Sequence, residues 1–318
     1  MTLEASNTLK RLARRLFPDL AQQDPFVQSL LRPAGYPVAV VWMRDRPVVP
    51  AFNTLPKPRW MPDYVDLVSF AQRPGRHELH DQGAFYCVDP SSVFMGIGMS
   101  SVSEPDTVMD VCASPGGKSV MAWRAMNPVE LWCNEVIGKR IPALISNLKR
   151  CRVSPAFVLN SDTRILAETA PQTADVVLVD APCSGQSLVA RGKKSPGCFH
   201  PATINMNANR QRRILSNATA MVKPGGRLIY MTCTYSLKEN ERNVEWLLKN
   251  NSQFHPETVD VVADYRSEHT DLPCYRLWPM HGEGAGGFMA VVKHNGAPGH
   301  HPKSDDTLRR LRIRWSSE

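Results

Sequence analysis

No two of the eight cysteines stand three residues apart, so the chain has no CxxC pair for a zinc ribbon or a thiol redox motif, and no metal is expected. No apolar run approaches the ~20 residues that span a bilayer. The opening residues, Met1-Thr2-Leu3-Glu4-Ala5-Ser6, lack the apolar core of a signal peptide. No membrane partner is therefore expected. The cytoplasm is the expected location, and there the cysteines stay reduced. No internal repeat or low-complexity tract stands out. Charged residues make up 21% of the chain and hydrophobic residues 42%, which excludes a disordered class and fits a soluble globular one.

The 318 residues allow one or two domains with a large core. A formal net charge of +8 suits a polyanionic partner. Basic clusters occur at Lys10-Arg11, Arg14-Arg15, Lys149-Arg150, 191–194, 210–213 and 309–314. Such clusters either follow a nucleic-acid backbone or are solvated faces. Residues 3–17 read as a short amphipathic helix with a Leu9, Leu12, Leu16 stripe. Seven prolines between 33 and 62 forbid a long helix or a central strand there, leaving Val38 to Met43 as one strand of a small appended module.

From about residue 104 strands and helices alternate. Strands are expected at 107–111, 131–136, 156–159, 176–179, 228–231 and 288–292. Helices are expected at 118–125, 139–151, 205–221 and 238–249. This repetition implies an α/β fold with a mostly parallel, doubly wound sheet, whose ligands bind outside the carboxyl ends of the strands.

Two cysteines sit in matched positions after such strands. Cys183 lies in Val179-Asp180-Ala181-Pro182-Cys183-Ser184-Gly185, and Cys233 lies in Tyr230-Met231-Thr232-Cys233-Thr234-Tyr235-Ser236. A cysteine after an apolar run is more often a small buried residue. Here each enters a loop containing Pro or Ser/Thr, which favours a site. Two thiols and Asp180 at neighbouring strand ends would face one pocket. A thiol and an acid are what is needed to add a nucleophile across a pyrimidine ring and protonate the ring nitrogen.

The first strand ends in Asp110-Val111-Cys112-Ala113-Ser114-Pro115-Gly116-Gly117-Lys118-Ser119. Its glycines let the backbone approach a ligand at a helix N-terminus. Cys112 stands where a Walker A loop needs glycine, and there is no GxGxxG fingerprint. Glu135 ends the second strand, where a carboxylate can take both ribose hydroxyls of a nucleoside cofactor. Asp162 ends the third, where it can meet an adenine edge. The alternative for each acid is a helix N-cap or a surface loop.

Together these residues resemble the NOL/NOP/Sun (RsmB/NOP-type) family of RNA cytosine-5 methyltransferases over about residues 76–293. The segment 110–119 is similar to the family's cofactor loop, with Ser114 where Ala is usual. Asp180-Ala181-Pro182-Cys183-Ser184-Gly185 and Thr232-Cys233-Thr234-Tyr235-Ser236 are similar to its two cysteine motifs. Upstream, Val88 stands where Gln is common. Downstream, Gly286 replaces the usual Asp in the closing strand motif.

The resemblance implies a seven-stranded Rossmann-like class I methyltransferase sheet that uses S-adenosylmethionine. Cys112, Ala113, Ser114, Pro115, Gly116, Gly117 and Lys118 would line the methionine part of that cofactor. Glu135 would hold the ribose with support from Arg140, Asp162 the adenine side, and Asp180 would reach both cofactor and base. Cys233 is the implied nucleophile at carbon 6 of cytosine. Asp180 would donate to ring nitrogen 3, and Cys183 would help remove the carbon-5 proton. Lys193 and Lys194 are expected to touch phosphate. Residues 1–75 are expected to form a small module, a reduced RRM-like region. Residues 76–296 would be the methyltransferase domain and 297–318 a basic tail. The expected partner is RNA, ribosomal before transfer RNA for want of a tRNA-reading domain, and the protein is expected to act as a monomer. Two other readings are a non-catalytic RNA-binding assembly factor on the same fold and a small-molecule methyltransferase.

Overall fold

The computed structural model describes residues 5–33, 35–297 and 305–317. The first residues of the expected helix 3–17, and residues 298–304 and 318 of the expected tail, lie outside the described residues.

The first helix, Asn7–Leu16, starts where the Ser6 hydroxyl accepts the Leu9 N–H, and it buries Leu9, Ala13 and Leu16. A second helix, Leu20–Leu31, was not expected from the sequence because Pro25 sits inside it. Its N-cap, Asp19, accepts the Ala21 N–H at 2.9 Å, and burial of Phe26 and Leu30 holds it despite the proline. Both helices pack on the loops around the cysteines. Their cluster includes Ala190, Tyr235 and Ala285, and the Phe26 ring meets the Tyr235 ring edge-on at 5.1 Å.

The Pro-rich segment holds the first two strands of a four-stranded antiparallel sheet of β1 (Val38–Trp42), β2 (Thr54–Leu55), β3 (Val65–Val68) and β4 (Phe85–Val88). Its strand order is β2-β3-β1-β4, so it draws strands from both sides of residue 75.

The large sheet holds β5 (Thr107–Asp110), β6 (Glu130–Asn134), β7 (Ala156–Leu159), β8 (Ala174–Asp180), β9 (Val222–Thr232), β10 (Phe254–Glu257), β11 (Cys274–Leu277), β12 (Gly287–His294) and β13 (Ile313–Ser317). Seven of them, in the order β7-β6-β5-β8-β9-β12-β10, form the expected sheet. The two additional strands lie at its edges. β11 shares the outer edge of β12 with β10, end to end, and β13 pairs antiparallel with β7. Part of the expected basic tail is therefore an edge strand. Its charged residues are compatible with that because charged side chains on an edge discourage its free backbone groups from pairing with another chain.

The central strands are parallel and buried on both faces. Period-2 alternation still sorts their side chains into two cores. Val108, Val176, Leu178, Ile229 and Met231 face one core. Met109, Val177, Val179, Leu228 and Tyr230 face the other. The chain steps from β5 outward to β6 and β7, then returns to the other side of β5 with β8. The crevice between the ends of β5 and β8 is thus the topological switch point, where open sheets bind ligands. Among the described residues no helix is long and apolar enough to cross a membrane.

Candidate active site

Four loops meet at that switch point. They follow β5, β8 and β9, with a fourth before β12, and together with β4 and the helix after it they enclose a cavity of about 490 Å3. Cys112, Ala113, Ser114, Pro115, Gly117, Lys118, Asp180, Cys183 and Cys233 all line it. The Sγ atoms of Cys183 and Cys233 are 3.3 Å apart. Lys118 Nζ lies 3.3 Å from an Asp180 oxygen, with the lysine buried and the aspartate partly open to the cavity.

The two thiols are inequivalent. The hydrogen bond from Cys183 lowers Cys233 below the usual thiol range, against burial and the charge of Asp180, and Ser187 and Lys118 add to the lowering. The same hydrogen bond, with burial and Glu239, pushes Cys183 well above that range. Cys233 is therefore the more readily ionised of the two, and the thiolate is the nucleophilic form of a cysteine.

A buried polar network holds the loops at this spacing. The Glu239 carboxylate, with no exposed surface, accepts the Ser184 N–H at 2.9 Å, the Ser184 hydroxyl at 2.7 Å and the Gln211 amide at 3.0 Å. Gln211 also donates to the Pro182 carbonyl at 3.0 Å. The Gln186 side chain accepts the Tyr235 N–H at 3.0 Å, and Asn240 donates to the Thr234 carbonyl at 2.9 Å. Sequence reasoning missed these residues. One trace was available: Ser236 and Glu239 have capping-box spacing, but Glu239 turns instead to the other cysteine loop.

The loop after β5 is shaped for close approach. Gly116 has a φ of 110° and leads directly into the helix Gly117–Met126. Asp110 at the end of β5 is fully buried, accepting the Ser119 hydroxyl at 2.7 Å and the Cys112 N–H at 3.2 Å. Burial first, and the charge of Asp180 after it, push its carboxyl up to about 7.

A second, larger groove of about 1020 Å3 adjoins the cavity and shares Cys112, Arg140 and Pro182 with it. Glu135 and Asp162 line this groove. Glu135 is buried and pairs with Arg140 at 3.1 Å, while its other oxygen accepts the Ile137 N–H at 2.8 Å. Asp162 accepts the Arg164 N–H at 2.8 Å, so it caps the helix Thr163–Thr169 and lines the groove at once. Beside these acids, Val136 and Ile137 are 57% and 43% exposed. Carboxylates next to uncovered apolar side chains match a nucleoside, which offers hydroxyls and a flat apolar face. The groove and cavity together therefore suit a nucleoside joined to a charged tail, the form that S-adenosylmethionine has.

The cavity lining includes Arg191, which lies 3.5 Å from the buried carboxylate of Asp89. Neither Lys193 nor Lys194 lines it; both are exposed on the turn beyond the helix Ser187–Ala190. Among the described residues no cluster of metal-ligating side chains occurs.

Comparison with known proteins gives the chain's family and fold relatives. The family model described as 16S rRNA methyltransferase RsmB/F matches residues 99–293, more than half of the chain. The ribosomal RNA small subunit methyltransferase F of Klebsiella pneumoniae is 32% identical over 185 residues, covering 58% of this chain and 38% of the relative. The protein of the same name from Pectobacterium carotovorum is 30% identical over 299 residues, covering 88% and 60%. The chain thus spans about two to three fifths of the length of these curated relatives. The crystal structure of NSun6 from Pyrococcus horikoshii with SFG is similar in fold, with a TM-score of 0.70 at 17% identity, covering 92% of this chain and 99% of that one.

Proposed function

The chain belongs to the RsmB/F family of 16S rRNA methyltransferases, and from that premise we propose that it methylates carbon 5 of a cytidine in small-subunit ribosomal RNA. The observation that carries this reading is the thiol pair, 3.3 Å apart, with the lowered thiol on Cys233 and an acid in the same cavity. A small-molecule or non-catalytic role needs no such pair. The cofactor is S-adenosylmethionine, which supplies an electrophilic methyl group on a sulfonium.

Carbon 5 of cytosine is a poor nucleophile until the ring is opened to addition. The Cys233 thiolate adds to carbon 6, and the displaced ring electrons are balanced by a proton delivered to nitrogen 3. Asp180 passes that proton on from the Lys118 ammonium, 3.3 Å away, and takes it back from nitrogen 3 when the sulfur–carbon-6 bond breaks. The resulting enamine makes carbon 5 nucleophilic. Once Cys233 is a thioether, the hydrogen bond that held Cys183 protonated is lost. Cys183 then gives its thiol proton to solvent, takes the proton from carbon 5, and the sulfur–carbon-6 bond breaks to return the Cys233 thiolate. Cys112 to Lys118, Glu135, Arg140 and Asp162 hold the cofactor. Lys193 and Lys194, exposed beside the cavity, meet RNA phosphates. Residues 76–296 carry the catalytic loops in this reading, with β4 shared with the N-terminal sheet and β13 added at the edge of the large one, and the residues before them add RNA contacts.

A target inside a duplex must be extruded to reach Cys233, so an unpaired or opened cytidine is expected. Bisulfite sequencing of total RNA, with and without the gene, tests the proposal. Loss of one protected cytidine in small-subunit rRNA is expected. An unchanged rRNA profile would overturn the substrate, and loss only in transfer RNA would redirect it.

A further inference from the structure

A third groove, of about 530 Å3, lies between the helix Asn7–Leu16 and the start of the helix Pro201–Met221. Its floor is apolar, made by Leu12, Phe199, Ile204 and Leu237. Its rim carries Arg11, Arg15, Lys238 and Arg242, and no acidic residue lines it. Burial of Leu9, Ala13 and Leu16 fixes the helix Asn7–Leu16, which leaves Arg11 and Arg15, one turn apart, exposed along the groove. Among the described residues neither arginine is engaged in an ion pair. Arg242 keeps an ion pair with Glu245 at 2.7 Å, and Lys238 donates to Asn205 at 2.8 Å.

The groove shares no lining residue with the catalytic cavity, but it follows the second cysteine loop directly along the chain. Leu237 and Lys238 follow Cys233 by four and five residues, and Ser236, which also lines the groove, follows it by three. Three residues of chain reach at most about 11 Å, so the groove begins close to the thiol. An apolar floor with a cationic rim matches single-stranded nucleic acid, whose bases stack on apolar and aromatic side chains while its phosphates seek Arg and Lys. An acidic peptide would use the rim but leave the aromatic floor without a partner.

We propose that this groove seats the RNA strand flanking the target cytidine. Its phosphates lie on Arg11, Arg15, Lys238 and Arg242, and a base rests on Phe199. The inference rests on the reading of RNA as substrate and assigns the first helix, outside the segment matched by the family model, to substrate binding.

The test uses the full chain carrying Arg11→Ala and Arg15→Ala together. Both positions are exposed and alanine favours a helix, so folding is preserved. Binding to protein-free small-subunit rRNA is measured across a salt series, alongside cofactor affinity and single-turnover methyl transfer. The double variant is expected to bind RNA about tenfold more weakly. Its salt slope should be shallower by about 1.4, two phosphates at ~0.7 each, with cofactor affinity unchanged. Photo-crosslinking from a 4-thiouridine next to the target should label the peptide holding Phe199 or that holding Leu237. A double variant with the wild-type affinity and slope overturns the inference, as do crosslinks that fall only elsewhere. A groove that serves a protein partner would give that same unchanged RNA binding. If the wild-type chain itself methylates no RNA, the proposed function fails first. If the wild type methylates and the variant matches it, only the groove is rejected.

Discussion

Cys183 and Cys233 share a residue type, a preceding buried strand and a hydrogen bond, yet their surroundings set them opposite tasks. The difference lies in neighbours that are distant in sequence: Ser187 and Lys118 beside Cys233, and Glu239 beside Cys183. The motifs around the cysteines were legible in the sequence because each is local. Glu239, Gln186 and Gln211 were not, because a carboxylate or amide in a helix or loop carries no mark of the loop it will meet across the fold. Asp110 makes the same point with a measurable consequence. Its folded carboxyl titrates near 7 against an ordinary 3.8. Between those values the native chain holds a proton that the unfolded chain has lost, so stability declines as pH rises through about 7. The decline is on the order of 4 kcal/mol for three pH units. Asp110→Asn removes it. Urea midpoints at about pH 5 and about pH 8 should converge in the variant and differ in the wild type. Parallel pH profiles would contradict the assignment.

Among the elements, the parallel strands were the most legible because each is an apolar run buried on both faces. The expected strand at 228–231 is longer than anticipated, since β9 begins at Val222 and runs through Pro224, Gly225 and Gly226. Those residue types read as a break, but Gly226 packs where a Cβ would come within 2.8 Å of the Asp175 carbonyl. The edge strands β10, β11 and β13 were missed because edges are short and half-solvated, so they lack a sustained apolar pattern. The entry to β12 shows how one residue sets an element's position. Gly286, where the family usually has Asp, adopts a φ of 91°, and a Cβ there would lie 2.7 Å from the Tyr235 ring and 2.9 Å from the Leu277 carbonyl. Gly286→Asp therefore strains this chain although it restores the common residue. A loss of about 1–3 kcal/mol is expected, seen as a lower urea midpoint at unchanged slope. An unchanged midpoint would mean that the approach of β12 to Tyr235 relaxes freely.

At the scale of the whole molecule, the strand order sets the site. The chain doubles back between β5 and β8, so the cofactor loop and the first cysteine loop open on one crevice, and β9 brings the second cysteine to the same end. Alternating strands and helices foretold this arrangement. They did not foretell that two N-terminal helices would pack on the far side of the second cysteine loop, with Phe26 against Tyr235. That contact links distant parts of the chain and leaves no local periodicity. It also carries Arg11 and Arg15 to the groove beside the catalytic loop, where the net charge of +8 meets the proposed substrate.

The central claim, that Cys233 adds covalently to a cytidine and Cys183 releases it, is tested most directly by trapping the adduct. Small-subunit rRNA carrying 5-fluorocytidine, which has no carbon-5 proton to lose, is incubated with S-adenosylmethionine and each protein, then resolved on a denaturing gel. The wild type should form a slow-migrating protein–RNA band. Cys183→Ala should form that band even on unmodified RNA, because release is blocked. Cys233→Ala and the double variant should form none while still binding cofactor. A band that persists in Cys233→Ala, or methyl transfer by that variant, would contradict the account.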